Sequence, residues 1–185
     1  MQPIIEKTLI LAHRGASGYA PENTMEAFEL AAKMGADGIE LDVHFAADGA
    51  VVVCHDEKID RTSNGQGLIT DYTLSELKSM DFGYHFYGEQ RKGVKIPTLD
   101  EVYEFVAPIG MVVNVEIKSA DPDIIKACDI IAEKYGNHVV FQKLSKKNTP
   151  FPTQVFAHTY LENGVQFNYA ATYASTDATL DFSRL

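Results

Sequence analysis

Four short apolar runs, rich in β-branched residues, each end in or carry charged or titratable side chains. Residues 8–13 (TLILAH) lead into His13-Arg14, residues 38–44 (GIELDVH) carry Glu40 and Asp42, residues 51–55 (VVVCH) lead into His55-Asp56, and residues 111–118 (MVVNVEIK) carry Glu116 and Lys118. Helix signals fall between them. Asn23 with Glu26 reads as a capping box, so a helix should start at Thr24, with Ala27, Leu30, Ala31 and Met34 on one face and Gly35 as its stop. Thr98 with Glu101 is a second box, opening a helix to about Ala107, and Asp121 before Pro122 starts a third that runs to Tyr135. Alternating strands and helices predict a parallel sheet with crossover helices. In such sheets and barrels, active sites gather at the carboxyl ends of the strands, where these four runs place their polar groups.

Strand parity sharpens the chemistry. Glu40 and Asp42 are two residues apart, so they point the same way, with Ile39, Leu41 and Val43 on the opposite face. Glu116 repeats the arrangement between Val115 and Ile117. A strand buried on one face can alternate in this way without any chemistry, but three carboxylates aimed into one mouth repel one another and call for a cation. A hard divalent ion with oxygen ligands, Ca2+ or Mg2+, is the economical partner. His13 and His55, with ordinary pKa values near 6.5, form a natural acid–base pair. Arg14 and Lys118 suit phosphate oxygens. Together these groups match phosphodiester cleavage. The remaining candidates take plainer readings. His44 is expected at the rim, Cys54 and Cys128 against the helix layer as small core residues, and Tyr84, Phe86 and Tyr87 as packing for the segment around them.

Composition narrows the partners. The chain has 185 residues, with 16 Lys+Arg against 26 Asp+Glu, a formal charge of −10. That balance argues against nucleic acid and against a membrane held by a basic face. No apolar run approaches the length of a membrane span. With no signal peptide in evidence and two cysteines far apart, a reducing, cytoplasmic setting is expected. Between residues 56 and 97 the rhythm breaks, with Asn64-Gly65, a capped short helix from Thr73 and an aromatic cluster at 81–88 (DFGYHFYG), which predicts a small insertion subdomain after the third strand. Residues 142–185 carry weak signals and stay unassigned, apart from a possible strand at 153–159.

HRGASGYAPENTMEAF, GADGIELDVHFAADGAVVVCHD, DRTSNGQGLITDYTLSELK, KIPTLDEV and VNVEIK closely resemble the glycerophosphodiester phosphodiesterase family, from about Leu9 to Val140. The resemblance implies a metal-dependent TIM (β/α) barrel that hydrolyses glycerophosphodiesters to an alcohol and sn-glycerol 3-phosphate. It implies His13 and His55 as the acid–base pair, Glu40, Asp42 and Glu116 as metal ligands, Arg14 and Lys118 as phosphate contacts, and residues 56–97 as the insertion over the barrel mouth. Residues 1–141 would form the N-terminal part of the barrel. The chain has no Trp, and nothing after Phe141 resembles the family's later strands, so an incomplete barrel is expected, from truncation, a frameshift, or a half-barrel completed by a second copy. Two alternatives remain: a phospholipase D-like or cyclising lipid phosphodiesterase, and an inactive remnant or binding domain.

Overall fold

The computed structural model describes residues 10–88, 93–119 and 121–136 in full, and three further strands by their backbone. Strands β1 (Leu11–His13), β2 (Gly38–Phe45) and β4 (Val112–Ile117) are parallel neighbours, with β2 in the middle. Strand β5 (Val140–Lys143) continues the parallel set beside β4. The alternation of apolar residues in β2 and β4 buries Ile39, Leu41, Val43, Val113, Val115 and Ile117 against helices α1 (Met25–Lys33), α4 (Leu99–Val106) and α5 (Asp123–Lys134). The result is an α/β arrangement of parallel strands backed by helices, as expected of the first part of a TIM barrel.

Helix ends follow the sequence, with caps displaced by one residue at α1 (Thr24 for Asn23) and at α5 (Pro122 for Asp121). Thr98 and Glu101 make the expected reciprocal box, and the Asp121 carboxylate accepts the N–H of Asp123 at 2.9 Å. At α1 the cap is Thr24, which accepts the N–H of Ala27, while Glu26 accepts the Tyr87 hydroxyl at 3.0 Å. Asn23, expected as the cap, sits one residue earlier in the left-handed region, with φ 56°.

Strand β3 (Val51–Val53) departs from the expected all-parallel order. Asp48-Gly49 turns the chain straight back, and β3 pairs antiparallel with β2 (Val43 with Val53). A tight turn gives a hairpin, whereas a parallel neighbour would have required a crossover of a dozen or more residues. Val51 and Val53 face the helix-layer core; Val52 and Cys54 face a second core with Ile59, Ile69, Leu77, Phe82 and Ile96. Cys54 is therefore buried as expected, but against the insertion and not the helix layer. Cys128 is buried in the helix layer. The insertion contains α2 (Leu74–Ser79), capped by Thr73 and Glu76, and the four-residue α3 (Tyr84–Tyr87). Of its aromatics, Phe82 enters the core and Phe86 remains exposed. Its base is fastened by the Asp81 carboxylate, whose Oδ1 accepts the N–H of Gly83 at 2.9 Å and of Val94 at 3.1 Å.

Beyond β5, strands β6 (Thr153–Glu162) and β7 (Val165–Ala174) form an antiparallel hairpin on its edge. The possible strand at 153–159 thus belongs to a longer one, and β7 falls in the stretch left unassigned. The start of the first expected strand, residues 8 and 9, and the segments 144–152 and 175–185 lie outside the described residues.

Candidate active site

Register brings the polar strand residues together. His13 aligns with Glu40 and Glu40 with Asn114; Asp42 aligns with Glu116. β1 and β3 share one edge of β2 and approach from opposite ends. Past His13 the N–H of Arg14 bonds the Glu40 carbonyl at 2.9 Å, and past Val53 the N–H of Cys54 bonds the Asp42 carbonyl at 2.9 Å. The two histidine-bearing strand ends therefore meet β2 over Glu40–Asp42. The hairpin, which sequence alternation did not reveal, is what returns His55 to that level.

Glu40, Asp42 and Glu116 are buried, and one oxygen from each lies within 4.8 Å of the other two. Burial, reinforced by the negative charge of Asp42, pushes the Glu40 carboxyl up to about 7, although the Arg14 N–H at 3.1 Å pulls the other way. Lys118 Nζ lies 2.5 Å from Glu116 Oε1 and 3.2 Å from Asp42 Oδ1. Arg14 Nε lies 3.4 Å from Asp42 Oδ2, and its Nη1 donates to Glu22 at 3.2 Å. Asp42 Oδ1 and Asn114 Oδ1 are buried and accept no hydrogen bond. Three clustered carboxylates, with Asp42 Oδ1 met only by the Lys118 ammonium and the Asn114 oxygen left without a donor, fit a hard divalent cation.

The histidines differ in setting. The His13 side chain is 67% exposed, with Nε2 3.8 Å from Glu40 Oε2. His55 is largely covered, and its Nδ1 lies 2.6 Å from Asp56 Oδ1. Burial pushes the Asp56 carboxyl up, but hydrogen bonds from Arg61 and His55 outweigh it and leave it below the ordinary carboxylate range. An ionised Asp56 accepts the hydrogen bond from His55 Nδ1, which turns Nε2 away from it.

Sequence reasoning missed several contributors. His44, expected at the rim, is buried, and its Nε2 donates to the His55 carbonyl at 3.2 Å. Burial holds its pKa below the ordinary value, so the ring is neutral. The hairpin folds β3 over it, which strand parity could not show. Asn23, read as a helix cap, donates Nδ2 to Asp42 Oδ2 at 2.9 Å. Glu22 and Arg61, unassigned before, are paired through two hydrogen bonds.

Comparison with known proteins shows the family. The profile of the "Glycerophosphoryl diester phosphodiesterase family" matches residues 13–163. A glycerophosphodiester phosphodiesterase of Caldanaerobacter subterraneus subsp. tengcongensis is 54% identical over 113 residues, covering 61% of this chain and 46% of that relative. The chain thus spans less than half the length of this relative. Among solved structures, glycerophosphodiester phosphodiesterase from Agrobacterium tumefaciens superposes with a TM-score of 0.68 at 38% identity, over 76% of this chain and 60% of that one. An Oleispira antarctica phosphodiesterase, solved with the product sn-glycerol-3-phosphate, also gives 0.68, at 34% identity over 75% and 58% of the two chains. With the family's profile starting at His13, the last residue of β1, and running on through β2, β3 and β4, the chain belongs to the glycerophosphoryl diester phosphodiesterase family.

Proposed function

We propose that the chain carries the catalytic apparatus for metal-dependent hydrolysis of glycerophosphodiesters to an alcohol and sn-glycerol 3-phosphate. The observation that carries this reading is the buried triad of Glu40, Asp42 and Glu116 between the two histidine-bearing strand ends. The solved relative with bound sn-glycerol-3-phosphate supports the substrate class.

In this reading Arg14 and Lys118 bind the non-bridging phosphate oxygens and orient the diester. One of the imidazoles His13 and His55 takes the proton of the attacking water as its oxygen bonds to phosphorus. The other supplies a proton to the alcohol oxygen as its bond to phosphorus breaks. Asp56 keeps Nε2 of His55 available for either duty. Ca2+ or Mg2+ held by Glu40, Asp42 and Glu116 would stabilise the charge that builds on the phosphate. The substrate is a small, water-borne diester. Among the described residues no helix is long and apolar enough to cross a membrane.

The test is release of sn-glycerol 3-phosphate from glycerophosphocholine and glycerophosphoethanolamine, followed by phosphorus NMR. Activity should require Ca2+ or Mg2+ and vanish in His13→Ala, His55→Ala and Glu40→Ala. Full turnover in excess chelator would overturn the metal assignment, and a cyclic phosphate product would overturn attack by water.

A further inference from the structure

Arg61 ends a short 3-10 turn, Ile59–Arg61, whose Ile59 is buried in the core of the insertion. The turn therefore rests on a packed element, and the guanidinium extends from it toward the strand ends. Its Nε donates to Asp56 Oδ2 at 2.6 Å. Its Nη1 and Nη2 donate to the two oxygens of Glu22 at 2.9 and 2.7 Å. The other oxygen of Asp56 receives His55 Nδ1 at 2.6 Å, and Glu22 also receives Arg14 Nη1 at 3.2 Å. One side chain thus bridges the carboxylate behind His55 and the carboxylate behind Arg14.

We propose that Arg61 is a positioning residue that locks Asp56, and through it the His55 ring, in one orientation while fixing the Arg14 guanidinium through Glu22. This deepens the proposed function and rests on it. A carboxylate bonded only to a neighbouring imidazole can turn about its side-chain torsions. Bonded through its second oxygen to a guanidinium that is itself forked onto Glu22, Asp56 has one geometry. Arginine suits the task because its planar donors reach two carboxylates at once, which a lysine ammonium cannot match. The Arg61 side chain is 49% exposed. Its ion pairs are therefore worth little to global stability, so a role in orientation separates cleanly from a role in folding.

The experiment uses the full chain, loaded with Ca2+ or Mg2+ and labelled with 15N-histidine, with the His55 signals assigned by their loss in His55→Gln. In the unsubstituted protein the neutral His55 ring should be the Nδ1-protonated tautomer. Arg61→Met should give a mixture of tautomers, lower kcat roughly 10- to 100-fold, the cost seen for side chains that orient metal ligands, and raise KM through the loosened Arg14, with the melting temperature little changed. Arg61→Lys, which keeps the charge without the fork, should stay closer to Arg61→Met than to the parent. An unchanged tautomer in Arg61→Met, or full recovery in Arg61→Lys, overturns the proposal. The ring spectrum reads orientation whether or not the chain turns over a diester, so failure here is distinct from failure of the proposed function. If Arg61→Met does not fold, Glu22→Gln, which loosens the far end of the fork, takes its place in both measurements: tautomer mixing supports the proposal and an unchanged ring overturns it.

Discussion

Asn23 donates its side-chain amide to Oδ2 of Asp42 at 2.9 Å, and the other oxygen of the same carboxylate is buried without a hydrogen bond. The amide fixes one oxygen, and the other faces the Lys118 ammonium at 3.2 Å and the neighbouring carboxylates, where a metal ion would bind. The backbone sets this up. Asn23 has φ 56°, a left-handed conformation that asparagine tolerates well, and its N–H bonds the Arg14 carbonyl at 3.0 Å. Asn23→Ala should weaken Ca2+ or Mg2+ binding roughly 10- to 100-fold, measured by calorimetric titration. Asn23→Gly keeps the backbone conformation and loses only the amide, so it should lose comparable affinity. Unchanged affinity in the glycine variant would show that the amide does not organise Asp42.

The carboxylate cluster should make the ion a folding ligand. Glu40, Asp42 and Glu116 are buried together, and Lys118 and Arg14, the latter shared with Glu22, offset only part of their combined charge, which favours a further cation. At 100 times its dissociation constant, a bound ion stabilises a protein by about 2.7 kcal/mol. For a chain of this size that is a melting-temperature rise of roughly 5–10 °C. Differential scanning calorimetry with and without Ca2+ or Mg2+ measures it, and Glu116→Gln should abolish most of the rise. An equal rise in Glu116→Gln would place the ion elsewhere.

Much of this site was legible from local patterns. The period of two in residues 38–44 and 111–118 placed Glu40, Asp42 and Glu116 on one face because each strand is buried on its other face. Antiparallel β3 was missed because a short apolar run carries no direction, and Asp48-Gly49 had to be weighed as a hairpin turn. That error moved Cys54 to the wrong core and left His44 at the rim. Arg61 and Glu22 are 39 residues apart, and no periodicity connects them. They meet only because the insertion folds back over the loop before α1.

Gly15 tests how tightly that loop is built. Its φ is +78°, and a Cβ there would lie 2.7 Å from the backbone carbonyl carbon of Ala27 in α1. Gly15→Ala would have to push the loop off the helix and take Arg14 with it, while adopting a conformation that costs an L-residue about 1–2 kcal/mol. The expected outcome is a drop in urea midpoint together with a loss of diesterase activity larger than the stability loss explains. A variant as stable and active as the parent would mean the loop yields easily.

Asp81 sets the acid side of stability. Its carboxyl is pushed up by burial, but the N–H groups of Gly83, Gly93 and Val94 outweigh that and leave it below its ordinary value. A depressed acid pKa means the unfolded chain takes up the proton first as pH falls. The stabilisation is therefore complete above the ordinary value near 3.8 and is lost as pH drops through the lower value of the folded state. Asp81→Asn removes the charge from these hydrogen bonds, which are worth about 1.5–3 kcal/mol each when charged. At pH 7 the variant should have a lower urea midpoint than the parent, and between pH 4 and pH 2 its midpoint should fall less steeply. Parallel pH profiles for the two proteins would show that the acid limb belongs to other carboxylates.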